Sequence, residues 1–236
     1  MKTPLFSRRG LLALVAAVAL AASAPAARAQ YFQIASQLPS LIQPALSGSM
    51  TYRGFVEASG LAGFGENRAN FLGVSTSQGF QYADWFFMGA GLGVDAVMAG
   101  GDSAIPASLS GFDRPEWVDH PSAKTKAMIP VFSDFRFNIP TGSPVKLYAG
   151  VKLGAAWLLG DSYLLLQNGR MSGTTQFYFR PSVGARIPVD RNNPAHAFTV
   201  ALTYQLLTSG NNWSWYGRDS VTLSSLGLTI SYEFGR

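Results

Sequence analysis

The chain has 236 residues, enough for one domain after removal of a leader. Charged residues make up only 13%, about half the share in ordinary globular proteins, while aromatics reach 13% and cysteine is absent. This composition excludes a disordered chain, cysteine catalysis and thiolate metal sites. The net charge of +5 comes from lysines and arginines scattered singly, which argues against a nucleic-acid partner.

In chain order, the first element is a leader. Lys2, Arg8 and Arg9 form a positive n-region, residues 11–22 an apolar h-region, and Ala27-Arg28-Ala29 a small-x-small cleavage pattern that leaves Gln30 as the mature N-terminus. The h-region falls short of the about 20 apolar residues that span a bilayer as a helix. Residues 1–29 are therefore expected to be a cleaved export signal. Residues 30–48 follow as an N-terminal segment. In it Ile34, Leu38, Leu41, Ile42, Ala45 and Leu46 fall at helical spacing despite Pro39 and Pro44, predicting a short amphipathic element.

From residue 49 onward the pattern becomes period two. Weaker alternating segments cover residues 50–60, 68–79, 84–98 and 124–138. The next is clear: Val145, Leu147, Ala149, Val151, Leu153, Ala155, Trp157 and Leu159 oppose Lys146, Tyr148, Gly150, Lys152 and Gly154. Residues 176–188 set Phe177, Phe179, Val183, Ala185 and Ile187 against Gln176, Tyr178, Arg180, Ser182, Gly184 and Arg186. Residues 197–206 set Phe198, Val200, Leu202, Tyr204 and Leu206 against Ala197, Thr199, Ala201, Thr203 and Gln205. Last come Leu226, Leu228, Ile230, Tyr232 and Phe234 against Ser225, Gly227, Thr229, Ser231 and Glu233.

These segments predict an all-β fold, a closed antiparallel up-and-down transmembrane β-barrel of about eight strands, over residues 49–236. A soluble barrel would need many charges on its outer face. Here the polar face is Gly, Ser, Thr and Gln with single charges, so the apolar face is assigned to lipid. Closure follows physically, because an unpaired strand edge in hydrocarbon leaves backbone groups without partners.

The links predict an orientation. Those around residues 61–67, 99–123, 160–172 and 209–219 read as longer loops, and those around 80–83, 139–144 and 190–195 as short turns. Short turns face the periplasm in such barrels and longer loops face outward, with both termini inside. The loop at 99–123 is the candidate surface for a ligand. Trp213, Trp215 and Tyr216 are candidates for an outer aromatic girdle.

With the apolar faces outward, the lumen receives Arg53, Glu57, Asp95, Asp134, Arg136, Lys146, Lys152, Arg180, Arg186 and Glu233. An eight-stranded barrel is just wide enough to be filled by side chains, so these charges are expected to form a paired network. Gly89, Gly91 and Gly93 read as a smooth stretch of lumen wall beside bulky neighbours. Catalysis finds little support. His196 falls at a turn, and Asp119-His120-Pro121-Ser122 in the largest loop matches no catalytic order. No metal-ligand spacing and no cofactor motif is present, so catalytic, metal and cofactor sites are all read as none.

Residues 225–234, Ser-Leu-Gly-Leu-Thr-Ile-Ser-Tyr-Glu-Phe, resemble the C-terminal assembly signal of outer-membrane barrels, carried here by Gly227, Ile230, Tyr232 and Phe234. The resemblance implies reading by the barrel-assembly machinery through strand pairing. Gly235 and Arg236 follow the aromatic, which often ends the chain in that family. The whole mature chain looks like the small eight-stranded OmpA-, OmpX- and opacity-like barrels. The phrases at 52–58 and 129–136 look like uncharacterised outer-membrane barrel proteins of Bacteroidetes. The implied location is a Gram-negative outer membrane, among its lipids and lipopolysaccharide, as a monomer. Ser7-Arg8-Arg9-Gly10 also resembles a twin-arginine signal, but a barrel crosses the inner membrane unfolded, which favours the general secretory route. The expected role is structural or surface-interacting. The alternatives are a narrow porin-like channel and a lipid A-modifying enzyme.

Overall fold

The computed structural model describes residues 50–100, 122–172, 175–189, 196–214 and 217–235. The leader, the 30–48 segment and most of the 99–123 loop, including His120, lie outside them. So do the side chains of Trp213, Trp215 and Tyr216.

The described residues contain eleven strands and no helix. Eight build the barrel: β1 Thr51–Phe64, β2 Ala69–Ala83, β3 Phe86–Ala99, β5 Thr125–Ile139, β6 Lys146–Leu158, β9 Thr175–Pro188, β10 Ala197–Ser214 and β11 Gly217–Gly235. Each pairs antiparallel with its successor, and β11 returns to β1, with Glu57 opposite Ser231 and Leu61 opposite Gly227. The ring is closed, so no barrel strand keeps an unpaired edge.

Three short strands sit beyond the ring: β4 Ser122–Ala123, β7 Tyr163–Leu166 and β8 Gly169–Met171. β7 and β8 form a hairpin around Gln167–Asn168, β4 runs parallel to β7, and β8 pairs with Trp213 and Ser214 of β10. The sheet of the barrel wall thus continues over one end, called here the loop end. The opposite, turn end carries the links 84–85 and 140–145, the strand ends at Pro188 and Ala197, and Thr51 and Gly235.

Alternation decides which way each side chain points, because successive residues of a strand face opposite sides. The outer surface carries apolar side chains: Leu72 is 63% exposed and Leu228 57%, with Val74, Leu92, Val183 and Ile230 alike. The inner face of the same wall buries Glu57, Asp134, Lys152 and Arg180, and Arg136 is only 2% exposed. At the turn end Trp85, Phe86 and Phe137 cluster on the outside, the Trp85 and Phe137 rings stacking at 6.2 Å. His196, Phe198 and Tyr232 form a second aromatic group there, with His196 Nδ1 and Tyr232 Oη 2.9 Å apart.

The strand positions follow the alternation, but four link assignments need correction. The turn expected at 80–83 is strand, since β2 runs on to Ala83 paired with Phe86, and the link is residues 84–85. The 209–219 loop is replaced by strand: β10 reaches Ser214 and β11 begins at Gly217. The inward parity of Leu207 and Ser209 continues opposite Leu223 and Val221, with a register shift after Ser209. The 61–67 link shrinks to residues 65–68, because Leu61 still points inward and Gly63 packs against the backbone of Ala69. The 160–172 loop contains the β7–β8 hairpin. A run of leucines at 164–166 meets a two-residue turn, and Gly169 has a φ of 155° that a bulkier residue seldom adopts.

Candidate functional site in the barrel lumen

The barrel wall brings three groups of charges inside. The largest is centred on Arg136 of β5. Its guanidinium donates to Glu57 Oε1 at 2.6 Å and to Asp134 Oδ2 at 2.6 Å. Glu57 also takes a bond from Lys152 of β6 and one from Ser75 Oγ at 3.2 Å, while Ser77 Oγ donates to Asp134 at 2.6 Å. Two acids and two bases thus balance within one buried group drawn from β1, β5 and β6. Aromatic faces complete the cage. The Arg136 guanidinium lies 3.6 Å from the Phe55 ring centroid and the Lys152 ammonium 4.5 Å from that of Phe132. A cation held against a desolvated ring gains about 2 kcal/mol from that face.

A second group stands nearer the turn end. Arg186 Nε donates to Glu233 Oε2 at 2.6 Å, Arg53 Nη1 lies 3.6 Å from Glu233 Oε1, and Arg53 Nε donates to Gln81 at 3.0 Å. The third group is Arg180, bonded to Tyr178 Oη at 3.0 Å, and Asp95. Asp95 is 1% exposed, and neither of its carboxylate oxygens has a hydrogen-bond partner among the described residues. Lys146, also on the inward face, is half-buried at the start of β6.

Small residues make this packing possible. A side chain at Gly73 would collide with the Asp95 carboxylate, and one at Gly91 with the Phe132 ring. Small cavities lie between the described lumen residues, two of them beside the charges. One is lined by Glu57, Tyr148, Lys152, Arg180 and Thr203 among others, the other by Phe55, Phe87, Arg136, Tyr148 and Glu233. Each has room for about one water.

Toward the loop end the lumen changes character, which the sequence reading did not anticipate. Leu61, Phe71, Val97, Met128, Leu207 and Leu223 point inward and join Leu164, Leu166 and Met171 of the hairpin in one apolar cluster. Lys126, on the same face of β5 as Asp134 and Arg136, was also overlooked. It is buried, and its ammonium donates to the carbonyls of Ser162 and of Gly160, the latter at 2.9 Å. Parity alone would have found Lys126. Its neighbours Met128 and Phe132 made that face resemble a lipid-facing one.

Among the assembly-signal residues, Ile230 and Tyr232 point outward, Gly227 packs on the backbone of Gly60 and Leu61, and the Phe234 ring lies against Gly54. Among the described residues no group of three or more His, Asp or Glu stands together as metal ligands.

No protein-family model and no curated protein matches the chain. Among solved structures, Neisserial surface protein A is similar at 14% identity over 79% of this chain and 97% of its own, with a TM-score of 0.45. The outer membrane enzyme PagL is similar at 13% identity over 76% and 98%, with a TM-score of 0.43. Ail, the attachment invasion locus protein of Yersinia pestis, is similar at 13% identity over 78% and 97%, with a TM-score of 0.36. At these scores the likenesses carry no argument about this chain. The closed strand pairing and the sidedness of the wall do.

Proposed function

We propose that the chain is an integral outer-membrane β-barrel with a structural or surface-interaction role, its lumen a solid core and its loop end facing outward. The observation that carries this reading is the inversion of polarity across one wall: Leu72 and Leu228 are exposed while Arg136, Asp134 and Glu57 are buried. A soluble barrel would present that apolar surface to water, whereas a bilayer solvates it. The aromatic groups at the turn end fit the interfacial belt of such a barrel. They mark the periplasmic boundary, with lipopolysaccharide at the other. The small outer-membrane barrel family, the assembly role of β11, export with cleavage after Ala29, and a monomeric state belong to the same reading.

The lumen favours a sealed barrel over a channel, because the two cavities beside its charges each hold about one water. The reading assigns no catalysis and leaves ligand contact to the loops. Fractionation of cells expressing the full chain tests it. A band in the outer-membrane fraction whose gel mobility changes on boiling supports it. A soluble periplasmic protein without that change overturns it.

A further inference from the structure

The turn-end half of the lumen carries an excess of positive charge. In the central cage two acids answer two bases, but nearer the turn end Arg53 and Arg186 share one carboxylate, that of Glu233. Lys146 adds to the excess, standing opposite Arg186 where β6 begins. Buried charge of one sign is costly unless something of the other sign meets it.

A cavity lies where the two groups meet. Arg136, Arg186, Gln81, Asn138, Thr199 and Glu233 are among the residues that line it, and it has room for about one water. Arg136 reaches it from the cage. Its Nε and Nη2 donate to Asp134, Glu57 and Ser77, none of which lines the cavity. Its Nη1 is buried and has no hydrogen-bond partner among the described residues. The side of the guanidinium that meets the cavity is therefore the one that lacks an acceptor, and a buried charged donor calls for one.

We infer that this cavity binds a monovalent anion of halide size, with chloride as the fitting species. The anion accepts from Arg136 Nη1, with the side-chain amide of Asn138 or Gln81 and the Thr199 hydroxyl as further donors. One negative charge offsets the excess that Arg53 and Arg186 leave over Glu233. A cation would face both Arg136 and Arg186, while Glu233 is already engaged by Arg186 at 2.6 Å. Space for about one water excludes phosphate and sulfate. Bound there, the anion joins the cage on β5 to the turn-end group on β9, so the two charged groups become one network.

The inference goes beyond the structural reading above and needs the lumen rather than the lipid around it. Its test uses the full chain folded in detergent micelles. Sodium gluconate, whose anion is too large for the cavity, is exchanged for sodium chloride at constant ionic strength, and the urea midpoint is followed by the heat-modifiable band. Chloride should raise the midpoint as one-site binding requires, and sodium bromide should do the same. Arg53→Gln should need about tenfold more chloride for the same rise, because the excess charge is gone. Asn138→Leu, which keeps the charge and removes a donor, should need about fivefold more. Lys124→Gln, which removes the same charge from an exposed residue at the loop end, should follow the parent. A parent midpoint indifferent to chloride would overturn the proposal and leave the cavity to water. So would an equal response in all four proteins, or one that Lys124→Gln weakens as much as Arg53→Gln, since either is a general salt effect.

Discussion

The two storeys of the lumen solve the same packing problem with opposite chemistry. Toward the turn end, Glu57, Asp134, Arg136 and Lys152 fill the interior as a charge-balanced cage, every member drawn from a barrel strand. Toward the loop end, the interior is filled by hydrocarbon, part of it supplied by the β7–β8 hairpin. The lower storey is built into the wall and can change only if the barrel opens. The upper storey depends on a segment that belongs to no barrel strand. Wall-borne charge and hairpin-borne hydrocarbon are therefore separated along one axis.

The difference predicts unequal responses to mutation. The largest effect belongs to the lower storey. Arg136→Met leaves Glu57 and Asp134 buried with one fewer cation, and breaking a buried pair in this way costs about 3–5 kcal/mol. Unfolding in denaturant, followed by the loss of the heat-modifiable band, should show that decrease for the whole barrel. An unchanged midpoint would mean that the network does not hold the wall.

Leu166→Ala should fall lower, near the bottom of the about 2–5 kcal/mol range for such truncations, because the hairpin can settle into the space. Its signature is local. Amide exchange should rise in residues 163–171 and leave β5 and β6 protected. A uniform rise through the barrel would contradict the separation of the storeys.

The smallest effect should come from Arg53→Gln. The 3.6 Å pair with Glu233 lies near the open turn end, and Arg186 still holds that carboxylate at 2.6 Å. Less than about 1 kcal/mol is expected, reduced further by salt, as for partly exposed pairs. A loss as large as that of Arg136→Met would extend the rigid storey to the turn end.

How much of this was legible in the sequence depends on which force acted. The barrel strands were readable because period-two alternation is a local signal, and residues 145–159 or 197–206 declare both faces without help. The inward placement of the ten charged residues followed from the same parity. Which charges pair was not readable, since Glu57 and Arg136 stand 79 positions apart and meet only through closure and shear. The apolar upper storey was hidden for a different reason. Where a strand has the exposed outer surface on one side and the hairpin on the other, as near Leu207 and Leu223, both faces carry apolar residues and alternation loses its contrast. The hairpin looked like loop because its strands of four and three residues are too short to show a period.

The central claim, that the wall is polar within and apolar without because lipid surrounds it, can be tested residue by residue along β10. The chain has no cysteine, so spin labels can be placed singly at Phe198, Thr199, Val200, Ala201 and Leu202 in the barrel reconstituted in bilayers. Their collision with oxygen, which concentrates in lipid, is compared with their collision with a water-soluble nickel complex. The account predicts strong oxygen and weak nickel collision at 198, 200 and 202, with both weak at 199 and 201. Strong nickel collision at 198, 200 and 202 would contradict it, because the apolar face would then stand in water.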